Sequence, residues 1–178
     1  MIGQKSDHLL ARAAREGDQA ALALLYDDLG PPLLGFLNQM VQDRSIAEDL
    51  LHDTFLRLLQ GRSHPGEDSG IKPWLFTVAR NLALDFLRSR RRRNQLDRQL
   101  DGKSIMGSMP PTDSGNLNDF VERTLATLPE KYRTTFHLRI KQDFTYQEMA
   151  AICDEPEGTL RSRVHHIMGL LRKGLTEK

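Results

Sequence analysis

Outside one central stretch, the apolar residues of this chain recur at intervals of three and four, and nowhere do β-branched residues alternate with polar ones between turn pairs. That periodicity restricts the chain to helices, so the expected fold class is all-α. The exception is 94–118, where Gly102, Gly107, Gly115, Pro110 and Pro111 are scattered among Ser and Asp. Few bulky apolar side chains occur there to offset the entropy of ordering the backbone. The pattern therefore predicts two small helical domains, 1–93 and 119–178, joined by a flexible linker, 94–118.

Local signals divide the domains further. Asp18 suits the N-cap of a helix that Gly30-Pro31-Pro32 should end, with a second apolar segment over 33–41. Ser45 and Glu48 have capping-box spacing for a helix over 46–60. The segment 61–70 reads as a loop, and Pro73 suits the first turn of a long helix ending near Arg92. After the linker, Pro129 opens a helix carrying Tyr132, Phe136 and Ile140 at four-residue spacing. Thr145 and Glu148 form a second capping box, for a short helix over 146–153. A turn at Asp154-Glu155-Pro156 precedes a last helix running from Glu157 toward Gly174, weakened by about 1 kcal/mol at Gly169.

Charge distribution says more than the net charge of +1. Between Lys72 and Arg93 stand Lys72, Arg80, Arg88, Arg90, Arg91, Arg92 and Arg93, against Asp85 alone. Leu75, Val78, Ala79, Leu82 and Phe86 mark the buried face of that helix, leaving Arg80, Asn81, Leu84, Asp85 and Arg88 on the other. A guanidinium fork bonds two phosphate oxygens and never loses its charge, so such a face suits nucleic acid. The same run also suits a solvated helix end, with cations near the C-terminal dipole.

The short helix, turn and basic amphipathic helix at the C-terminus have the order of a helix-turn-helix. Leu160, Val164, Ile167 and Leu171 form the stripe expected to pack on Met149, Ile152, Phe136 and Ile140. That leaves Thr159, Arg161, Ser162, His165 and His166 outward, with Arg163 on a flank. Arg161 is the residue expected to reach a base edge, since arginine on guanine is the commonest specific major-groove contact. Ser162, Arg163 and His166 are expected at phosphates or in secondary contacts.

The remaining chemistry is sparse. Cys153 is the single cysteine, which rules out an internal disulfide and fits a reducing cytoplasm. No signal-peptide core and no apolar run of bilayer-spanning length is evident. His165 and His166 point about a third of a turn apart, so no metal site is expected with Cys153, and no cofactor. Asp49 and Asp53 are spaced to share a cation, but no third ligand, nucleophile or phosphate loop accompanies them, so no enzymatic activity is expected. A stand-alone helix-turn-helix regulator with an N-terminal dimerisation module is the competing reading; it leaves the basic run at 88–93 without a purpose.

Two sets of motifs carry a resemblance. The first is Ala47-Glu48-Asp49-Leu50-Leu51-His52-Asp53-Thr54-Phe55-Leu56-Arg57, then Pro73-Trp74-Leu75 and Ala79-Arg80-Asn81-Leu82-Ala83-Leu84-Asp85. The second is Leu128-Pro129-Glu130-Lys131-Tyr132-Arg133, Thr145-Tyr146-Gln147-Glu148-Met149-Ala150 and Pro156-Glu157-Gly158-Thr159-Leu160-Arg161-Ser162-Arg163. The chain resembles the sigma-70 family of transcription initiation factors, in its small extracytoplasmic-function (ECF) group, the sets matching regions 2 and 4.

The resemblance implies roles. Asp49, His52, Asp53 and Leu56 would dock on core RNA polymerase, through the β′ clamp helices, with β as a further partner. The 61–71 loop and the outer face of the following helix would read the −10 promoter element. There Asn81 would meet a base drawn from the stack, and Arg80, Arg88 and Arg91 would hold phosphates. Thr159, Arg161, Ser162, Arg163, His165 and His166 would read the −35 element. Trp74, at the helix start, is expected in the core. An anti-sigma partner, membrane-bound for some members, is a further implication. Two features depart from the family: Asp154-Glu155 replaces the usual glycine and aliphatic residue of the turn, setting two carboxylates near DNA, and His166 stands where arginine is common.

Overall fold

The computed structural model describes residues 4–60, 70–101 and 117–176, all helices and their connections. The N-terminal half contains α1 (Gln4–Arg15), α2 (Gln19–Val41), α3 (Arg44–Gln60) and α4 (Ile71–Asp101). The C-terminal half contains α5 (Leu117–Ala126), α6 (Glu130–Phe136) running into a π-helical turn (His137–Lys141), α7 (Tyr146–Cys153) and α8 (Glu157–Thr176). The linker residues 102–116 and the loop residues 61–69 lie outside the described residues, including most of the loop expected to read the −10 element.

α1 has no counterpart in the expected helices. It buries Ala11 and Ala14. Gly17, at φ +98°, then turns the chain, and Asp18 caps α2 as expected, its carboxylate accepting from the Ala20 and Ala21 amides at 2.9 and 3.1 Å.

The helix expected to stop at Gly30-Pro31-Pro32 does not stop: α2 runs straight through both prolines to Val41. Each proline removes one i→i−4 bond, and an interior proline costs about 3 kcal/mol. The carbonyls released are those of Asp27 and Asp28, on the exposed side where water serves them. Against that cost, Leu25, Leu29, Leu33, Phe36, Leu37 and Met40 bury along one continuous face, each contributing about 1.5–3 kcal/mol. Burial wins. α2 is also long and apolar enough to cross a bilayer by length and composition, contrary to the expectation, but these side chains are committed to the protein core.

α3 starts earlier than expected because Asp43, not Ser45, is its cap: the Ile46 amide donates to Asp43 Oδ1 at 3.2 Å. Glu48 is thereby free to pair with Arg44 at 2.9 Å instead of closing a box with Ser45. Ala47, Leu51, Phe55 and Leu58 are buried as expected, joined by Leu50 and Thr54. α4 continues past Arg92 to Asp101, so 94–101, assigned to the linker, is helical. The sequence there, Asn-Gln-Leu-Asp-Arg-Gln-Leu-Asp, contains no breaker before Gly102. Pro73 sits in the first turn, where its missing N–H would have had no helical partner, and Trp74 packs against the core as expected.

In the C-terminal half, Leu160, Ile167 and Leu171 are buried as expected and Val164 is half-buried. Ile140, assigned to the same core, is exposed instead. The π-helical turn is the reason: its wider winding advances each residue by less than 100°, so the register set by Tyr132 and Phe136 is lost and Leu138 goes inside. α8 passes through Gly174 rather than ending there. A Cβ at that position would lie 2.4 Å from the Phe120 ring, so glycine permits α5 to cross close by.

The two halves share a core. α7 packs on α4 and α6 packs on α2, and one apolar cluster extends from Leu25, Leu33, Phe36 and Phe76 to Leu138, Phe144, Met149, Ile152 and Leu160. A second cluster, Leu125, Phe136, Ile167 and Leu171, belongs to the C-terminal half alone. Rings mark the junction: Phe36 lies 5.2 Å from Phe76 and 5.5 Å from His137, and Phe76 lies 5.0 Å from Phe144. The face of α4 carrying Phe76 and Ala83, both fully buried, is not legible as a core face along the chain, because the rings that cover Phe76, Phe36 and Phe144, lie forty or more residues away.

His137 is buried at this junction, and its pKa falls from 6.5 to about 4. Burial is the main cause and the Lys141 charge adds to it, while a hydrogen bond to the Pro32 backbone opposes both. The folded state therefore favours the neutral ring. This contribution is complete above pH 6.5, declines as pH falls below it, and is gone below about pH 4. Its upper size is about 3 kcal/mol. Urea unfolding of wild type and His137→Gln should converge as pH is lowered through this window; parallel curves would remove His137 as the source.

Candidate nucleic-acid interface

The helix-turn-helix is built as its local sequence dictates. Thr145 Oγ1 accepts from the Glu148 amide at 3.2 Å while Glu148 Oε2 accepts from the Thr145 amide at 2.8 Å, closing the expected capping box on α7. At the other end Asp154 adopts the left-handed conformation, φ 53°. Glycine is the usual residue for that conformation, and aspartate is one of the few others that tolerates it.

The neighbouring carboxylate is neutralised. Arg163 forms two bonds with Glu155, one at 2.9 Å from Nη1 to Oε1 and a shorter one from Nη2 to Oε2. Its side chain is only 11% exposed, and its guanidinium lies 5.9 Å from the Tyr132 ring centroid. The Glu155 bond holds the Arg163 pKa above its ordinary value. Arg163, expected at a phosphate or in a secondary contact, ties the start of α8 to the turn in this structure, because the flank it occupies faces Glu155 and Tyr132. The anomaly of two carboxylates at the turn and the flank position of Arg163 explain one another.

Breaking this pair leaves a largely buried charge, whereas exposed pairs are worth about 0–1 kcal/mol. Glu155→Ala is therefore expected to lower stability in urea by about 1–3 kcal/mol, and Glu157→Ala, whose partner Arg161 is exposed, by less than about 1 kcal/mol. Equal losses would show that Glu155 is an ordinary surface group.

Arg161 is presented outward, its side chain 63% exposed and 3.5 Å from Glu157. Its guanidinium lies 4.9 Å from the Tyr146 ring centroid, with Arg139 5.4 Å from the same ring. Tyr146 thus supports the arginine from α7, a role that spacing along the sequence does not reveal. Thr159, Ser162, His165 and His166 are exposed beside it, His166 edge-on to Tyr132 at 5.6 Å.

On α4, Arg80, Leu84, Arg88 and Arg91 follow at four, four and three residues, one stripe of the helix with Asn81 beside it. Asn81, Arg88 and Arg91 are exposed, and Arg88 bonds Asp85 at 3.1 Å. Arg80 is half-buried and within electrostatic reach of Cys153 on α7. Asp49, His52, Asp53 and Leu56 are all exposed and share one face of α3, Leu56 at 46%. Cys153 is buried, which raises its thiol pKa to about 11 and keeps it inert.

This arrangement agrees with what the chain is similar to. The family model for sigma-70 region 2 matches residues 25–93, and that for sigma-70 region 4 matches residues 121–171. The ECF RNA polymerase sigma factor RpoE of Cereibacter sphaeroides is 30% identical, over 94% of this chain and 93% of that protein. ECF RNA polymerase sigma factor SigM of Bacillus subtilis is 30% identical, over 71% of this chain and 78% of that one. The chain belongs to the sigma-70 family, in its ECF group. Among solved structures, the sigma factor RpoE of Bartonella quintana, crystallised with the anti-sigma factor NepR, superposes with TM-score 0.68 at 28% identity, covering 86% of this chain and 96% of that one. CnrH, solved with the cytosolic domain of CnrY, has the same fold, with TM-score 0.68 and 21% identity over 97% of this chain and 99% of that one. The region 2 match takes in the acidic stripe of α3 and the basic stripe of α4; the region 4 match takes in the whole helix-turn-helix.

Proposed function

We propose that this ECF sigma factor docks on core RNA polymerase through Asp49, His52, Asp53 and Leu56, and reads two promoter elements with its two halves. Asn81, with Arg80, Arg88 and Arg91, engages the −10 element and assists its opening. Arg161, with Thr159, Ser162, His165 and His166, engages the −35 element, while Arg163 positions α8. The single observation that carries this reading is the coexistence, in one short chain, of an exposed acidic and apolar stripe on α3 with two separate outward basic faces on α4 and α8. A free-standing regulator needs one DNA-reading face and no docking stripe. The likeness to RpoE, crystallised with the anti-sigma factor NepR, supports an anti-sigma factor as a further partner, and the setting is the cytoplasm, at the membrane when such a partner is anchored there.

The direct test is run-off transcription with core polymerase on templates carrying promoters mapped after overexpression. Addition of the chain should give a discrete transcript, while the chain alone should bind the same DNA weakly. Tight binding to a palindromic duplex without polymerase, and no transcript with it, would replace this reading by the free-standing regulator.

A further inference from the structure

We propose that His165 and His166 enter the −35 interface as imidazolium cations set against DNA phosphates, so that engaging this element takes up protons and tightens as pH falls. The inference rests on the reading of α8 given above and adds the charge state in which its two histidines act.

Helical spacing sorts the outward face of α8 into two rows. In the first, Arg161, His165 and Arg172 follow one another at four and seven residues; in the second, Ser162, His166 and Lys173 do so at the same intervals. All six are exposed. Between the rows lie Gly158 and Gly169, where a Cβ would meet nothing within 4 Å, so no other described element overhangs this face. Each imidazole thus takes the middle place of a row that a fixed cation continues. The carboxylate nearest the first row, Glu157, is occupied by Arg161.

Position along the helix separates the roles. The first residues of a recognition helix reach base edges, and groups further along its flanks meet the backbones that wall the groove. Arg161 stands near the start of α8, and the two histidines follow one turn later. A neutral imidazole offers a phosphate one N–H; an imidazolium offers two and a positive charge. Imidazoles titrate near neutral pH, and a phosphate held against one favours the charged form.

The surroundings admit the proton. His166 meets the Tyr132 ring of α6 edge-on at 5.6 Å. The cations at that ring are Arg163 at 5.9 Å and Lys131 at 5.8 Å. Arg163 is answered by both oxygens of Glu155, so its charge opposes an imidazolium at His166 only weakly. α7 brings Glu148, held in its capping box, and Asp154, at the turn before α8. α5, with Asp119, Glu122 and Arg123, meets α8 on the opposite side, where Phe120 crosses Gly174 and Glu122 lies 4.0 Å from Lys141. His165 has Arg161 and Arg172 along its own row, and phosphates entering that row offset both. His137, by contrast, is buried with its pKa lowered to about 4, and stays neutral throughout the range that matters here.

The test is promoter binding by core polymerase carrying the full chain, read by fluorescence anisotropy of a labelled promoter duplex between about pH 6 and about pH 8. His165→Gln/His166→Gln keeps a donor at each place and removes the charge. The ratio of wild-type to double-glutamine affinity cancels any titration of His52 or of core itself. A contact that raises an imidazole's pKa by about one unit tightens binding by up to ~10-fold, so this ratio should rise about tenfold from the alkaline to the acid end. The log–log salt slope of wild type should steepen by about 1–2 over the same change, one phosphate for each imidazolium. The slope of the double-glutamine variant should stay constant. His165→Arg/His166→Arg carries both charges at every pH, and at about pH 8 it should hold the affinity that wild type reaches at about pH 6.

A ratio that does not change with pH, or a double-arginine variant no tighter than wild type at the alkaline end, overturns the proposal and leaves the sigma reading intact. Failure of core with the wild-type chain to bind the promoter at any pH overturns the sigma reading, and the proton uptake with it.

Discussion

Arg161→Glu is expected to abolish transcription that depends on the −35 element while leaving affinity for core polymerase within about twofold. A bidentate arginine–guanine contact is worth about 1–3 kcal/mol, a factor of ~10 to ~100. Reversal adds repulsion from nearby phosphates, so the expected loss in run-off transcription is 100-fold or more. The helix should tolerate the change. Arg161 is mostly exposed and its partner Glu157 is one turn away, so the new like-charge pair costs only about 0.5 kcal/mol. The docking stripe on α3 belongs to the other half and stays intact. Loss of core binding together with transcription would mean that the variant is misfolded, and full activity would remove Arg161 from the interface. Tyr146→Ala, which withdraws the ring beneath the guanidinium, should give a smaller loss in the same direction.

The largest expected effect on stability is at Phe36. It is fully buried, pairs with Phe76 at 5.2 Å and lies beside His137 at 5.5 Å. Truncating a buried phenylalanine costs about 3–5 kcal/mol, through lost transfer free energy and the cavity left behind. For a chain of this size each kcal/mol lowers Tm by about 2–4 °C, so Phe36→Ala should melt on the order of 10 °C lower. Leu56→Ala is the control, expected within about 0.5 kcal/mol of wild type because Leu56 is exposed. A Phe36→Ala variant as stable as Leu56→Ala would mean that the junction is not packed in solution. Such a result would also leave Phe76 and Ala83 with an open face on α4, contrary to their complete burial.

Much of the candidate site is legible in the order and spacing of its residues. The face of α3 holding Asp49, His52, Asp53 and Leu56 follows from helical spacing alone, as does the outward set on α8, because both are decided within a few turns of one helix. Arg163 shows the limit of that reasoning. Its flank position is evident, but pairing with Glu155 across the turn depends on how α7 and α8 meet, and that pairing leaves its side chain only 11% exposed. Tyr146 beneath Arg161 is hidden for the same reason. The core assignment of Ile140 fails because a π-helical turn breaks a register that the pattern takes as continuous.

The all-helical class, the caps at Asp18 and Thr145, the basic stripe of α4 and the order of the two regions were determined by the sequence, since propensity, capping and periodicity act over one or two turns. Tertiary structure decided three other matters: α2 persists through Pro31 and Pro32, Arg163 turns inward, and two halves that look independent along the chain close on one another. For α2 and for the closure of the halves the deciding free energy comes from burial against residues distant in sequence, Phe36 against Phe76 and His137 above all, and no local window contains both partners of such a contact. For Arg163 it comes from the pair with Glu155, which forms only once α7 and α8 have met at their turn.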